Sequence, residues 1–196
     1  MSRAAHRPVV VLAALCGILA ACPASAKDRY LFPGFGLVGK YSNKFELRLG
    51  VAAYDTGIFS THDYDGAVVN GELLFPSPDF LYAIGSPRPV IGVDIATASH
   101  AIHFAYLGLN WDAHFTDRLY ATWSLGGAVT SANDLEHSTR YKNLGCKVLF
   151  HLGAGLGYDL SEHTSVELYA DHFSNADLCT PNNGSESAGF RFAYRF

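Results

Sequence analysis

The sequence predicts an all-β chain folded as an eight-stranded antiparallel transmembrane β-barrel of the outer-membrane type. Three observations carry this expectation. Segments of about ten residues alternate apolar and polar side chains, the period of a strand. Beyond the N-terminal leader no stretch approaches eighteen continuous apolar residues, so no spanning helix is expected. Glycine and aromatic residues are abundant, with 19 Gly, 13 Phe and 11 Tyr among 196 residues, as suits a membrane barrel.

The first 26 residues read as a signal peptide. Arg3 and Arg7 precede the apolar run 9–21, which is too short to cross a bilayer, and Ala24-Ser25-Ala26 is a small-x-small cleavage site. A lipoprotein box, Leu19-Ala20-Ala21-Cys22, is the alternative and would leave Cys22 acylated. Either reading sends the chain across an inner membrane. The leader holds two arginines and no acid. Twelve basic and eighteen acidic residues therefore remain, moving the formal net charge from −4 to −6. A mildly acidic product argues against nucleic acid as a partner. Residues 27–44 read as an N-terminal extension and 45–196 as a single barrel domain.

The first strand is expected over 45–54, with Phe45, Leu47, Leu49 and Val51 outward and Glu46 and Arg48 inward. Residues 55–65 form a polar loop. The second strand, 66–75, turns Asn70 and Glu72 inward and Val69, Leu73 and Phe75 outward. Four prolines in 76–89 mark a turn region, because proline cannot serve a strand ladder. In the third strand, 90–98, Ile91, Val93 and Ile95 alternate with Gly92, Asp94 and Ala96. The fourth, 102–111, loses its alternation near Tyr106, where a bulge is expected, and 112–117 is a short turn. The fifth, 118–130, places Leu119, Ala121, Trp123 and Leu125 outside and Tyr120, Thr122 and Ser124 inside. A long polar loop, 131–145, follows. The sixth strand, 147–160, has Val148, Phe150, Leu152, Ala154 and Leu156 outside, with His151 and three glycines inside. The seventh and eighth strands flank the loop that precedes Glu186. Trp111 and Trp123 suit interfacial anchors.

Eight is an even number, and closure removes the unpaired edges that lipid would penalise. At this size side chains fill the interior, so a packed polar lumen is expected rather than a pore. A lipocalin-like soluble barrel would invert the faces. The run Phe190, Phe192, Tyr194, Phe196 is longer than a small core needs, and a final Phe is a likeness to outer-membrane barrels.

Parity then isolates a cluster. Val166, Leu168, Ala170, His172 and Ser174 share one face of the seventh strand, and Glu186, Ala188, Phe190, Phe192, Tyr194 and Phe196 share one face of the eighth. These are the apolar faces. His172, Ser174 and Glu186 therefore collect at one rim if the strands pair, on the lipid side, at the external end. Residues i and i+2 on a strand face stand roughly 6.6 Å apart at the backbone. That separation lets a histidine reach a serine. A serine hydroxyl becomes nucleophilic when a base takes its proton, and the base needs a third group to hold its tautomer. The same three residue types would also make an inert polar rim.

Other candidates carry less. Asp171 adjoins His172 but faces the lumen, and Glu167 is likewise inward, where an arginine would pair with it. His6, His62, His100, His103, His114, His137, His151 and His163 form no metal-binding pattern, so no metal is expected. His151 is expected to hydrogen-bond within the lumen. Cys146 and Cys179 both fall at the external end. An oxidising compartment permits a disulfide between them, and two free thiols are the alternative.

The run His172-Phe173-Ser174-Asn175-Ala176, with Leu178, Pro181-Asn182, Gly184 and Glu186-Ser187, resembles the signature of the lipid A 3-O-deacylase (PagL) family, which are outer-membrane β-barrel esterases. A weaker likeness covers Leu152-Gly153-Ala154-Gly155-Leu156, and the first half matches only as a barrel pattern. The resemblance implies Ser174 as nucleophile, His172 as general base and Glu186 as the acid that orients it. It places Asn182 in the oxyanion hole and implies no cofactor. Its substrate would be lipid A in the lipopolysaccharide of the outer leaflet, with surrounding outer-membrane lipids as neighbours. One departure stands out: Asp177 occupies a position where the family usually has Gly, whose N–H is the other oxyanion donor. An aspartate keeps the N–H but adds negative charge and tolerates fewer backbone angles. Asn175 either braces this loop or has no role. The alternatives are phospholipid hydrolysis, a non-catalytic structural or adhesive barrel and a narrow channel. A homodimer is compatible with the sequence, which does not specify it.

Overall fold

The computed structural model describes residues 29–32, 34–98 and 101–196. The expected signal peptide, its cleavage sites, His6 and His100 lie outside the described residues. Ten strands run in order: β1 (Arg29–Phe32), β2 (Phe35–Val38), β3 (Glu46–Tyr54), β4 (Ala67–Leu74), β5 (Arg88–Ala96), β6 (Phe104–His114), β7 (Leu119–Thr130), β8 (Val148–Asp159), β9 (Thr164–Ser174) and β10 (Ser185–Arg195). A short 3-10 turn, Asp79–Ile84, lies between β4 and β5. Each of β3 to β10 pairs antiparallel with its neighbour, and β10 returns to pair with β3. The expected eight-stranded closed barrel is therefore the fold.

The faces are those of a barrel set in lipid. Along β3, Glu46, Arg48 and Tyr54 are buried while Leu47, Leu49 and Val51 are exposed, Leu49 at 58 %. The same inversion puts Ile91, Val93, Ile95, Leu107, Leu125, Leu152, Leu168 and Phe190 on the outer surface. Exposed apolar area on this scale would drive association in water and is satisfied by acyl chains. A lipocalin-like arrangement is excluded by the same residues.

The lumen is polar in its lower part. Glu46 receives Arg195 Nε at 2.6 Å, Arg48 Nε at 2.5 Å and Arg88 Nη1 at 3.2 Å. Arg191 bridges Glu167 and Glu72, the latter at 3.0 Å. Glu167 thus pairs with arginine as expected. Near the end where β9 stops, the filling changes. Tyr54, Phe104, Tyr106, Leu149, Tyr169 and Phe173 pack there, closed above by Ile102, Ala132 and Leu144 from loops. The expected bulge at Tyr106 is absent: β6 pairs without interruption with both β5 and β7. Its alternation blurs because Phe104 and Tyr106 are apolar residues that point inward. Gly92 makes the room, since a Cβ there would lie 2.3 Å from Tyr106 Cζ.

β6 also runs past the expected turn, to His114. The reason lies in the N-terminal extension. β5 starts pairing with β6 at Asn110, and β2 takes the vacant edge beyond it, with Val38 opposite Ala113 and Leu37 opposite His114. Asp112 is therefore a lumen residue, ion-paired to Arg48 at 3.3 Å and to Arg88. Trp111 and Trp123 stack at 6.3 Å on adjacent strands.

Candidate active site

The β9–β10 register sets Glu186 directly opposite His172, and β8–β9 pairing sets Phe150 opposite Ser174. Residues opposite each other on one face have Cβ atoms about 5 Å apart, so a short carboxylate reaches a ring nitrogen. His172 Nδ1 lies 2.7 Å from Glu186 Oε1. Ser174, half-buried, stands two residues on along the same face. The structure brings His172 and Glu186 into contact. It places Ser174 beside them without a hydrogen bond among the described residues. Contacts between nucleophile and base in hydrolase sites tighten when substrate fills the site.

Glu186 is not the open rim residue that parity alone suggests: it is 1 % exposed. The loop between β3 and β4 folds over it. Thr56 N–H donates to the Glu186 carbonyl at 3.0 Å and Ser60 Oγ donates to Glu186 Oε2 at 2.7 Å. Phe59 stands edge-on to the His172 ring with centroids 5.7 Å apart. Lys142, from the β7–β8 loop, is buried and contacts both Ser60 Oγ, at 2.8 Å, and Asp55 Oδ1, at 2.6 Å. Phe59, Ser60, Asp55 and Lys142 escape a reading of the sequence, because no periodicity links residues in separate loops. Ile58-Phe59 inside an otherwise polar stretch is the one signal that this loop covers something.

The β9–β10 loop is held both from within and from the β7–β8 loop. Asn175 is buried and its Nδ2 donates to the carbonyls of Leu144, at 2.8 Å, and Pro181, at 2.9 Å. Its Oδ1 accepts from Cys179 N–H at 3.3 Å. The residue braces the loop. Ala176 and Asp177 both take positive φ, 53° and 60°. Asp177 thus adopts the left-handed conformation that glycine enters freely and aspartate tolerates better than most residues. Asn182 Oδ1 accepts from Asn175 N–H at 2.9 Å, and Asn182 Nδ2 donates to Asp177 Oδ1 at 3.0 Å. Those two partners settle the amide's orientation, because an N–H can only donate and a carboxylate can only accept. One of the two amide donors of Asn182 is therefore spent on Asp177.

Cys146 and Cys179 are joined as a disulfide, Cα–Cα 5.8 Å, linking the β7–β8 loop to the β9–β10 loop. Gly145 permits this approach: it has φ 67°, and a Cβ on it would come 2.1 Å from the Pro181 carbonyl oxygen. Gly184, φ 61°, lies beside the His172–Glu186 pair, where a Cβ would stand 3.3 Å from His172 Cε1.

Asp171 points into the lumen and holds His151 Nε2 at 2.7 Å, so it takes no part in the rim cluster. Among the described residues, no group of three or more His, Cys, Asp or Glu side chains converges as metal ligands.

Fold and rim together define a class: a lipid-embedded β-barrel bearing a histidine–carboxylate pair and a serine on its outer face. A profile of the lipid A 3-O-deacylase (PagL) family matches residues 96–195, and the chain belongs to that family. Its barrel is similar to that of the outer membrane enzyme PagL, with a TM-score of 0.54 at 19 % identity over 76 % of this chain and 98 % of the other. It is also similar to a de novo designed transmembrane β-barrel, with a TM-score of 0.50 at 13 % identity over 79 % of this chain and 96 % of the other. No curated protein sequence matches the chain. Family and fold place the protein in the outer membrane.

Proposed function

We propose that the protein is an outer-membrane serine esterase that hydrolyses the 3-O-linked acyl chain of lipid A through Ser174, His172 and Glu186. The observation that carries this reading is the 2.7 Å contact between His172 Nδ1 and Glu186 Oε1 on the lipid-facing rim, two residues from Ser174. Glu186 holds the proton on Nδ1, which leaves Nε2 as the base. Ser174 Oγ attacks the ester carbonyl and its proton passes to His172 Nε2. The tetrahedral adduct collapses to an acyl-serine, and the sugar hydroxyl leaves with that proton. Water then attacks the acyl-serine, again with His172 as base, releasing a fatty acid and restoring Ser174. Glu186 stabilises the imidazolium in both halves. The remaining Asn182 amide N–H and the Asp177 backbone N–H supply the oxyanion donors. The outer position of the site matches a substrate whose acyl chains lie in the surrounding leaflet. No cofactor enters these steps.

The test is mass spectrometry of lipid A from cells producing the protein. Wild type removes one acyl chain. Ser174→Ala, folded as a barrel, leaves lipid A intact, a loss of roughly 10³-fold or more in rate. Unaltered lipid A beside well-folded wild-type protein overturns the substrate assignment.

A second reading, a non-catalytic barrel with a degenerate site, draws on the Asp177 carboxylate held against Asn182 at 3.0 Å. Under that reading wild type hydrolyses no acyl ester and Asp177→Gly does. Under the esterase reading both hydrolyse, and Asp177→Gly is faster by roughly tenfold, since negative charge near an oxyanion costs rate.

A further inference from the structure

Lys142 is 2 % exposed, which sets it apart from ordinary surface lysines. A buried ammonium requires compensation on every side. It has it: an ion pair with Asp55 Oδ1 at 2.6 Å, a hydrogen bond to Ser60 Oγ at 2.8 Å and another to the Thr61 carbonyl. Asp55 is itself buried, and its Oδ2 accepts from Asp63 N–H at 2.9 Å and Tyr64 N–H at 3.1 Å. These contacts fix the ammonium at the junction of two loops, directly above the β9–β10 rim.

The donor inventory then dictates a direction. An ammonium only donates, so Ser60 Oγ must accept from Lys142 and its own hydrogen is free to point elsewhere. Two acceptors lie in reach, Glu186 Oε2 at 2.7 Å and the Thr61 carbonyl at 3.5 Å, and the nearer, charged carboxylate takes the hydrogen. A carboxylate that accepts at Oε2 and faces a ring nitrogen at Oε1 accepts a hydrogen bond from that nitrogen as well. His172 Nδ1 is therefore the N–H, and Nε2 carries the lone pair. We infer that Lys142 and Ser60 are positioning residues which, acting through Glu186, fix the tautomer of His172 and thereby prepare Ser174 for attack. Neither touches the reacting atoms. The inference rests on the proposed Ser174–His172–Glu186 site. The titratable groups around Glu186 are His172 on β9, Lys142 on the β7–β8 loop, Asp55 and Asp63 on the β3–β4 loop, and Tyr54 and Asp94 from the lumen side.

Ser60→Ala is the decisive variant. It removes the hydroxyl link while leaving the Lys142–Asp55 ion pair to hold the loops. Steady-state hydrolysis of lipopolysaccharide by the full barrel in detergent is compared across wild type, Ser60→Ala, Ser60→Thr, Lys142→Met, Glu186→Ala and the Ser60→Ala/Glu186→Ala double variant. Folding is checked for each by the gel-mobility shift of the unheated barrel. The expected result is a kcat lowered roughly tenfold or more in Ser60→Ala with KM nearly unchanged, recovery in Ser60→Thr, and no further loss when Ser60→Ala is added to Glu186→Ala. Lys142→Met, if folded, shows the same kcat loss. A Ser60→Ala enzyme within twofold of wild type overturns the inference, and so does a loss that simply multiplies with that of Glu186→Ala. If Glu186→Ala itself keeps the wild-type rate, the triad reading fails and takes this inference with it. If Glu186→Ala is inactive while Ser60→Ala is normal, the inference alone fails.

Discussion

Glu186 belongs by strand parity to the face that meets lipid, yet it is buried and bonded on both oxygens, to His172 and to Ser60. Period-2 alternation was enough to place His172, Ser174 and Glu186 on one side of two neighbouring strands, and to send Asp171 and Glu167 to the other. It could not reveal the cover, because Ser60 and Lys142 sit in loops where no periodicity runs and their distance from Glu186 in sequence is large. Nor could it show that Asp177 would hold one amide donor of Asn182. Gly184 offers a clean residue-scale test. At φ 61°, and with any Cβ 3.3 Å from His172 Cε1, alanine there strains the backbone and pushes the ring. Gly184→Ala is expected to lower kcat by roughly tenfold or more while costing about 1–3 kcal/mol of stability. Kinetics and thermal denaturation of the folded barrel check the two parts separately.

The elements that make the site are three loops gathered over the end of β9 and β10. The disulfide Cys146–Cys179 and the Asn175 hydrogen bond to the Leu144 carbonyl tie the β7–β8 and β9–β10 loops together, while Asp55 and Lys142 join the β3–β4 loop to them. The lengths of these loops were readable from proline, glycine and polar composition; their meeting was not, since loop–loop contacts depend on tertiary approach. The same limit explains the misplaced end of β6, whose last residues are held by β2 from a segment with no clear strand pattern. The β3–β4 loop is expected to carry its own pH dependence. His62 contacts the Asp55 carbonyl through Nδ1 and Asp65 Oδ1 at 3.1 Å through Nε2. Chiefly the carbonyl, then the Asp65 carboxylate, holds its pKa above the ordinary histidine value. A raised folded-state pKa means that the stabilisation is full below the ordinary histidine pKa and is lost as pH rises through the raised one. Amide hydrogen exchange in residues 56–65 should therefore become less protected, after correction for intrinsic rates, as pH rises from about 5 to about 8. In His62→Gln that pH dependence should vanish.

At the scale of the whole molecule, the barrel is an inside-out protein whose polar centre is a charge lattice and whose surface is aliphatic. That inversion was legible from alternation, glycine and aromatic content. The aromatic plug beneath the site was not, because Phe104 and Tyr106 look like outward residues in sequence. Glu46 anchors the lattice, with three arginines around one carboxylate. Glu46→Gln leaves those guanidiniums under-compensated and is expected to destabilise the barrel by roughly 3–5 kcal/mol, read from denaturant titration of the folded protein. The rim lies apart from this lattice, separated from it by the plug of Tyr54, Phe104 and Phe173, so the variant should retain the rate of the proposed hydrolysis wherever it remains folded. Under the proposed function His172 and Glu186 activate Ser174 on the lipid-facing rim, and covalent capture tests this most directly. A lipophilic fluorophosphonate loses fluoride to an activated serine and leaves a phosphonyl group on its oxygen. Peptide mass spectrometry of the treated barrel should find the adduct on Ser174, and none on that residue in His172→Ala. A folded wild-type barrel that stays unlabelled at Ser174, or labels equally without His172, would contradict the account.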